Sequence, residues 1–142
     1  MKIKAIHLLN FGQLQTDEEE LENSSLSPTG YFLRPNQIDF MNIRDRLKGV
    51  KGLKFGIEYY IKGFFNSPEI VTFICKTSHP TVFNPITNEE LKEVIEEKSN
   101  YTNQKSFDYY CFEYDWEIVK GIWTFEIIEK EKVLLKKEFR IE

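Results

Sequence analysis

The chain has 142 residues, of which 41% are hydrophobic and 30% charged, so we expect one domain with a sizeable core rather than a disordered chain. Its formal net charge of −4 is unlike the basic footprint of a nucleic-acid-binding domain, and we expect no nucleic-acid partner. No apolar run reaches the ~20 residues that span a membrane, so we expect no membrane partner.

The N-terminal third predicts two strands separated by polar segments. The apolar run from Ile3 to Leu9 indicates the first strand. An acidic, polar loop from Asp17 to Ser25 follows. Ser27-Pro28-Thr29-Gly30 then has the composition of a turn, because Pro presets φ and Gly permits a positive φ. The second strand is favoured around Gln37 to Ile43, and the basic stretch from Arg44 to Lys54 is interpreted as a connection.

The middle of the chain contains the clearest alternation. Apolar and polar side chains alternate over residues 53–62, which is typical of a half-buried strand. Another strand is predicted over 69–78 and should end at His79-Pro80, because proline donates no ladder hydrogen bond. A turn is expected at 84–87. A capping-box pattern and helical spacing of apolar residues then predict one short helix over 88–98.

The C-terminal third is rich in aromatic residues and predicts three more strands. They are placed at 107–114, 122–128 and 133–141, with a hairpin tip at 129–132. About seven short strands with turns between them indicate an all-β fold, a two-sheet sandwich that forms a single domain over residues 1–142. The residues expected to meet in its core are Phe55, Ile57, Phe73, Trp123, Phe125 and Phe139.

Three groups of residues carry most of a resemblance that covers nearly the whole chain, with the turn Ser27-Pro28-Thr29-Gly30 as an early match, and that is densest from Gly52 onward. They are Gly52-Leu53-Lys54-Phe55-Gly56, His79-Pro80 with Asn84-Pro85-Ile86-Thr87, and Trp116-Glu117-Ile118-Val119-Lys120-Gly121-Ile122-Trp123-Thr124-Phe125-Glu126-Ile127. In that order they resemble the bacterial domain-of-unknown-function family numbered 3859. The resemblance implies an immunoglobulin-like antiparallel sandwich and no activity, because the family has none established. Lys120 departs from the family's pattern, which usually has Pro before the Gly.

The cysteines and histidines do not have the spacing of a metal site. Cys75 and His79 share a strand face but would lie roughly 13 Å apart at ~3.3 Å per residue. An immunoglobulin-type disulfide between Cys75 and Cys111 is a weaker alternative, because that motif places a Trp between the cysteines and here both follow Cys111. We therefore expect no metal, no cofactor, and reduced thiols in a cytoplasmic protein.

A few aromatic and polar residues are candidates for a binding site. If Tyr59 faces inward, Tyr60 faces outward, and one of Tyr109 and Tyr110 must also face outward. Structural roles compete with these assignments, since a histidine before a proline or an acid beside a tryptophan commonly ties down a turn. The candidate binding residues are Tyr60, His79, Asn84, Tyr110, Asp115 and Trp116.

The sequence favours a non-catalytic binding or protein-interaction module. The alternative is a small hydrolase-type enzyme, which would need His79, Asn84 and Asp115 to converge on one concave pocket. A protein partner or a second copy of the chain is the expected partner. The first strand has fewer charges than the last one, so pairing is expected near the N-terminal strand or on the outward tyrosines.

Overall fold

The computed structural model describes residues 1–17 and 19–142, with Arg34 described by its backbone alone. This part of the chain forms eleven strands and one 3-10 helix, Asp115–Glu117. The strands are β1 (Ile3–Thr16), β2 (Glu19–Asn23), β3 (Tyr31–Pro35), β4 (Ile38–Asn42), β5 (Arg46–Leu47), β6 (Lys54–Gly63), β7 (Ile70–Asn84), β8 (Glu89–Tyr101), β9 (Gln104–Cys111), β10 (Gly121–Glu129) and β11 (Lys132–Ile141).

The strands form two sheets and a separate hairpin. The front sheet has the order β4-β1-β6-β9 and is antiparallel throughout. The back sheet has the order β5-β11-β10-β7-β8, in which only the short β5 runs parallel to its neighbour. In the described part of the chain, strands β2 and β3 pair only with each other. The predicted two-sheet sandwich is confirmed, with more strands than the seven expected.

The core lies between the two sheets and is built from aromatic rings. Phe55 of the front sheet packs edge-on against Trp123, Phe125 and Phe139 of the back sheet, with ring centroids 5.8, 5.9 and 5.4 Å apart. Edge-to-face packing of this kind adds to the burial of the rings themselves. All six residues predicted for the core are buried, so the period-2 alternation identified the inward faces correctly.

The helix predicted over 88–98 is wrong, because these residues belong to β8. Twelve residues of β8 pair with β7 across a hairpin whose turn ends at Asn88, at a φ of 60°. The helical spacing of Leu91 and Val94 is fortuitous, since they oppose Val82 and Thr77 of β7. Glutamates suit a helix, but a ladder of cross-strand pairs overrides a weak local propensity.

The expectation that a strand ends at His79-Pro80 is also wrong, since β7 continues to Asn84. The ladder between β7 and β8 shifts between Ser78 and Val82, and the described pairing of β7 with β10 stops at Ser78. Pro80 therefore lies in an irregularity of the sheet, where neither neighbouring strand needs a backbone N–H donor at this position. Proline is tolerated inside a sheet at such bulges.

The acidic segment predicted as a loop contains β2, which pairs with β3 over five residue pairs. The connection predicted over 44–54 contains the two residues of β5. Glu18, part of the predicted acidic loop, lies outside the described residues. These short strands lack the alternation of buried and exposed side chains that marks β6, so their sequence carries no strand signal.

The start of β1 has one neighbouring strand. β6 pairs with β1 from Ile3 to Gln13, whereas the described pairs with β4 begin only at Gln13. The buried carboxylate of Glu129 accepts hydrogen bonds from the backbone nitrogens of Lys2 and Ile3, both at 3.0 Å, and fixes the beginning of β1 to the back sheet. Pairing of a second copy with this edge stays a prediction.

Candidate functional site

A cleft of about 390 Å³ opens between the two sheets along the side where they end in β8 and β9. The inward face of β8 contributes Val94 and Lys98, and the outermost front strand contributes residues 107–111. The third wall is the β2–β3 hairpin, through Tyr31 and Phe32 among others. This volume falls within the range of small-molecule and peptide pockets, and the lining mixes aromatic and charged side chains.

Hydrogen bonds at two places fix the hairpin over the cleft. At its base, Glu19 accepts from Lys54 Nζ at 2.6 Å and from the hydroxyl of Tyr109. At its tip, the side-chain nitrogen of Asn84 donates to the carbonyl of Pro28 at 2.9 Å. The hairpin is thus joined to the front sheet at one end and to β7 of the back sheet at the other, and it spans the gap between them.

A buried ion pair lies on the wall of the cleft and joins its two strand edges. Lys98 of β8 donates to the Asp108 carboxylate of β9 at 3.1 Å and to the carbonyl of Phe107 at 2.8 Å. The other oxygen of Asp108 accepts from the Tyr59 hydroxyl at 2.7 Å. Burial opposes the charge of Lys98, but the neighbouring Asp108 raises the pKa of the ammonium overall. Lys98 therefore stays charged at neutral pH.

Glu117 ties the 3-10 helix to the end of β9. One carboxylate oxygen accepts from the backbone nitrogens of Glu113 and Tyr114, each at 3.0 Å, and the other accepts from the hydroxyl of Tyr110. The side chain is fully buried. Burial raises the pKa of Glu117, and these hydrogen bonds reduce the shift without cancelling it.

The raised pKa of Glu117 predicts a pH dependence of stability. The folded protein binds the proton of Glu117 more tightly than the unfolded chain does. Glu117 therefore stabilises the fold at pH values below its unfolded pKa of about 4.3, and this stabilisation is lost as the pH rises through the folded pKa. We expect Glu117→Gln, which keeps the acceptor for both backbone nitrogens, to gain stability relative to wild type as pH rises above about 4. Urea unfolding at a series of pH values measures this difference, and a difference independent of pH contradicts it.

The candidate residues from the sequence do not gather at one place. His79 is buried and stacks on Trp123 with ring centroids 4.5 Å apart, while its Nδ1 bonds the carbonyl of Pro80 at 2.7 Å. Its Nε2 has no hydrogen-bond partner among the described residues. Burial lowers the pKa of His79, so the ring is neutral at physiological pH and packs as part of the core.

Asn84, Asp115 and Trp116 lie near the turns at one end of the sandwich. The side-chain oxygen of Asn84 accepts from the backbone nitrogens of residues 86 and 87, which closes the turn into β8. Asp115 is exposed on the 3-10 helix, and Trp116 stacks on Tyr114 with centroids 5.4 Å apart. The predicted turn at 84–87 is confirmed.

In each pair of adjacent tyrosines, 59–60 and 109–110, one side chain faces the core and the other faces outward, as the alternation along a strand predicts. Tyr59 and Tyr110 are buried, while Tyr60 and Tyr109 lie on the outer face of the front sheet. Of the six candidate binding residues, Tyr110 lines the cleft, and the other five do not. Cys75 also lines it, and both cysteines are free thiols whose pKa values burial raises, that of Cys111 to about 12.

The cleft was not predicted from the sequence, because residues 88–98 were assigned to a helix whereas most of them belong to β8. Read as a strand, Val94, Glu96 and Lys98 alternate with Ile95 and Glu97 and share the inward face, which was the available signal. Lys98 and Asp108 lie on the two strands that flank the turn at Thr102 and Asn103.

No family model and no curated protein matches this chain. It is similar to the crystal structure of an immunoglobulin-like protein from Pseudomonas aeruginosa, with a TM-score of 0.57 and 15% sequence identity. The match covers 92% of this chain and 98% of the other. At this identity the likeness shows the fold alone, and the chain is an immunoglobulin-like β-sandwich.

Proposed function

We propose that this protein is a non-catalytic interaction module that binds an extended peptide segment of a protein partner in the cleft beside β9. The observation that supports it is that the cleft is lined by five successive residues of β9, 107–111, a strand that ends its sheet. An extended peptide adds to such an edge through main-chain hydrogen bonds, and pockets beside the edge select its side chains.

The backbone of β9 presents hydrogen-bonding groups to the cleft. The Phe107 carbonyl points away from β6, since it accepts the Lys98 ammonium. Because the bonding direction alternates along an antiparallel strand, the N–H and C=O groups of Tyr109 and Cys111 point the same way. Both residues line the cleft. A peptide lying here would continue the front sheet beneath the hairpin.

The cleft walls suit side chains that alternate along a strand. Phe32, Val94 and Phe125 offer apolar contacts, while Thr77 and Lys98 offer polar ones. Specificity in strand addition comes from such side-chain contacts, whereas the main-chain bonds supply affinity. The alternative enzyme site has no comparable support, because His79 and Asn84 bond to separate local groups, Asp115 is exposed on the 3-10 helix, and none of the three lines the cleft.

Selection from a display library of short random peptides tests the proposal. We expect enriched peptides to bind wild type and to bind Cys111→Pro roughly five- to tenfold more weakly, because proline removes a backbone donor that faces the cleft. Affinities are measured by fluorescence anisotropy with labelled peptides.

Lys105→Pro is the matched control. The backbone N–H of Lys105 also points away from β6, because Lys105 is an even number of residues from Cys111 on β9. Lys105 does not line the cleft, so this variant should bind peptides like wild type. The proposal fails if no peptide is enriched, or if the enriched peptides bind both proline variants with equal affinity. Membership of family 3859 is a further part of the proposal and rests on the sequence resemblance alone.

A further inference from the structure

Exposed apolar side chains cluster at the end of the sandwich where β1 begins. Phe64 and Phe65 lie in the loop between β6 and β7 and are 55% and 68% exposed. Ile70 and Tyr101 are exposed as well, and they form a cross-strand pair of β7 and β8 beside that loop. We call these four residues the apolar tip. Exposing two adjacent phenylalanines is costly unless the surface serves binding.

The loop of the apolar tip is fixed in place by the neighbouring turn. The side-chain amide of Asn103 donates to the carbonyls of Phe65 and Asn66 at 2.9 and 3.2 Å. Thr102 exchanges two hydrogen bonds with the backbone of Glu69, at 2.8 and 2.9 Å. Asn103 adopts a φ of 60°, a conformation that asparagine tolerates better than most residues. The phenylalanines therefore project from an ordered loop.

The surroundings of the apolar tip are richer in lysine than the chain as a whole. Lys2 reaches the loop directly, because its ammonium donates to the carbonyl of Ile70 at 2.9 Å. The turn between β10 and β11 is held beside Lys2 by Glu129. Among the described residues in the segments that meet at this end (1–4, 62–69, 101–105 and 129–132), six lysines stand against three glutamates: Lys2, Lys4, Lys62, Lys105, Lys130 and Lys132, with Glu69, Glu129 and Glu131. This end is cationic in a chain of net charge −4.

We propose that the apolar tip docks peripherally on a membrane surface that contains anionic lipids. Phe64 and Phe65 enter the boundary between headgroups and acyl chains, and the lysines contact the lipid phosphates. Lysine stems are long enough to follow the tip while their ammonium groups stay at headgroup level. No helix in the described part of the chain is long and apolar enough to span a bilayer, and peripheral docking requires none.

The shape of the tip and its charge favour a lipid surface over a protein. The phenylalanines lie in the loop between β6 and β7 rather than on a sheet face. A protein–protein interface of standard size buries about 800 Å² on each partner, which a sheet face supplies more readily than one loop. The cationic rim complements anionic headgroups, which attract each nearby lysine by about 1 kcal/mol. The expectation of no membrane partner rested only on the lack of a spanning segment.

Sedimentation with vesicles tests the proposal. We expect wild type to bind vesicles that are about one-third phosphatidylglycerol and to bind pure phosphatidylcholine weakly, with salt reducing the bound fraction. The double variant Phe64→Ser, Phe65→Ser should bind the anionic vesicles at least about tenfold more weakly, because it lacks the two apolar side chains that the bilayer buries. Lys62→Gln should lower binding about fivefold.

Phe83→Ser is the matched control, since Phe83 is also an exposed phenylalanine and lies at the opposite end of β7. It should bind anionic vesicles like wild type, and circular dichroism should show that all variants are folded. Failure of wild type to bind anionic vesicles overturns the proposal and leaves the tip to a protein partner. An equal loss in Phe83→Ser overturns it too, because the contact would not depend on the tip.

Discussion

Trp123→Ala is expected to lower the free energy of unfolding by about 3–5 kcal/mol, the range for large aromatic truncations in a core. The indole is fully buried and contacts rings on the front-sheet side of the core, including Phe55 of β6 and Phe112 just after β9, at 5.8 and 5.2 Å. The imidazole of His79 stacks on one face of the indole, and the indole Nε1 donates to the carbonyl of Val119 at 2.8 Å. Alanine leaves a cavity that these rigid strands cannot close.

The matched control is Ile122→Ala, one residue earlier in the same strand. Ile122 is 40% exposed on the opposite face, and its truncation should cost less than about 1 kcal/mol. Urea unfolding gives both values. A loss below about 1 kcal/mol for Trp123→Ala contradicts the packing described here, because it means that the rings around the indole do not depend on it.

The core was predictable because its strands are buried on one face only. In β6 and β10 the inward aromatic residues alternate with outward polar ones, so composition and period point to the same structure. The outward position of Tyr60 and the turn at 129–132 followed from the same reasoning, and Lys130 and Glu131 adopt the positive φ values of a two-residue hairpin turn.

The cleft was not predicted, because the alternation along β8 is weak and the β2–β3 hairpin carries no strand signal of its own. Strand β8 is an edge strand rich in glutamates, and its strand character comes from pairing with β7. The β2–β3 hairpin has few buried residues and is held by distant partners such as Lys54 and Asn84. Long-range contacts of this kind are decided by the assembled fold rather than by local sequence.

Breaking the ion pair between Asp108 and Lys98 is expected to lower the free energy of unfolding strongly. Asp108→Leu leaves the ammonium of Lys98 without its carboxylate, and removing one partner of a buried pair costs about 3–5 kcal/mol. A fifth of the Lys98 side chain is exposed to the cleft, so we expect a value near the lower end, about 3 kcal/mol. Urea unfolding at neutral pH measures the loss.

The double variant Asp108→Leu, Lys98→Met distinguishes a stranded charge from lost packing. It removes both charges and keeps similar volumes, so it should be more stable than Asp108→Leu alone, as buried pairs replaced by apolar residues usually are. If it is less stable than the single variant, the charge of Lys98 is not what destabilises Asp108→Leu. The pair joins the outermost strands of the two sheets, so peptide binding to the double variant also reports whether the cleft needs this link to keep its width.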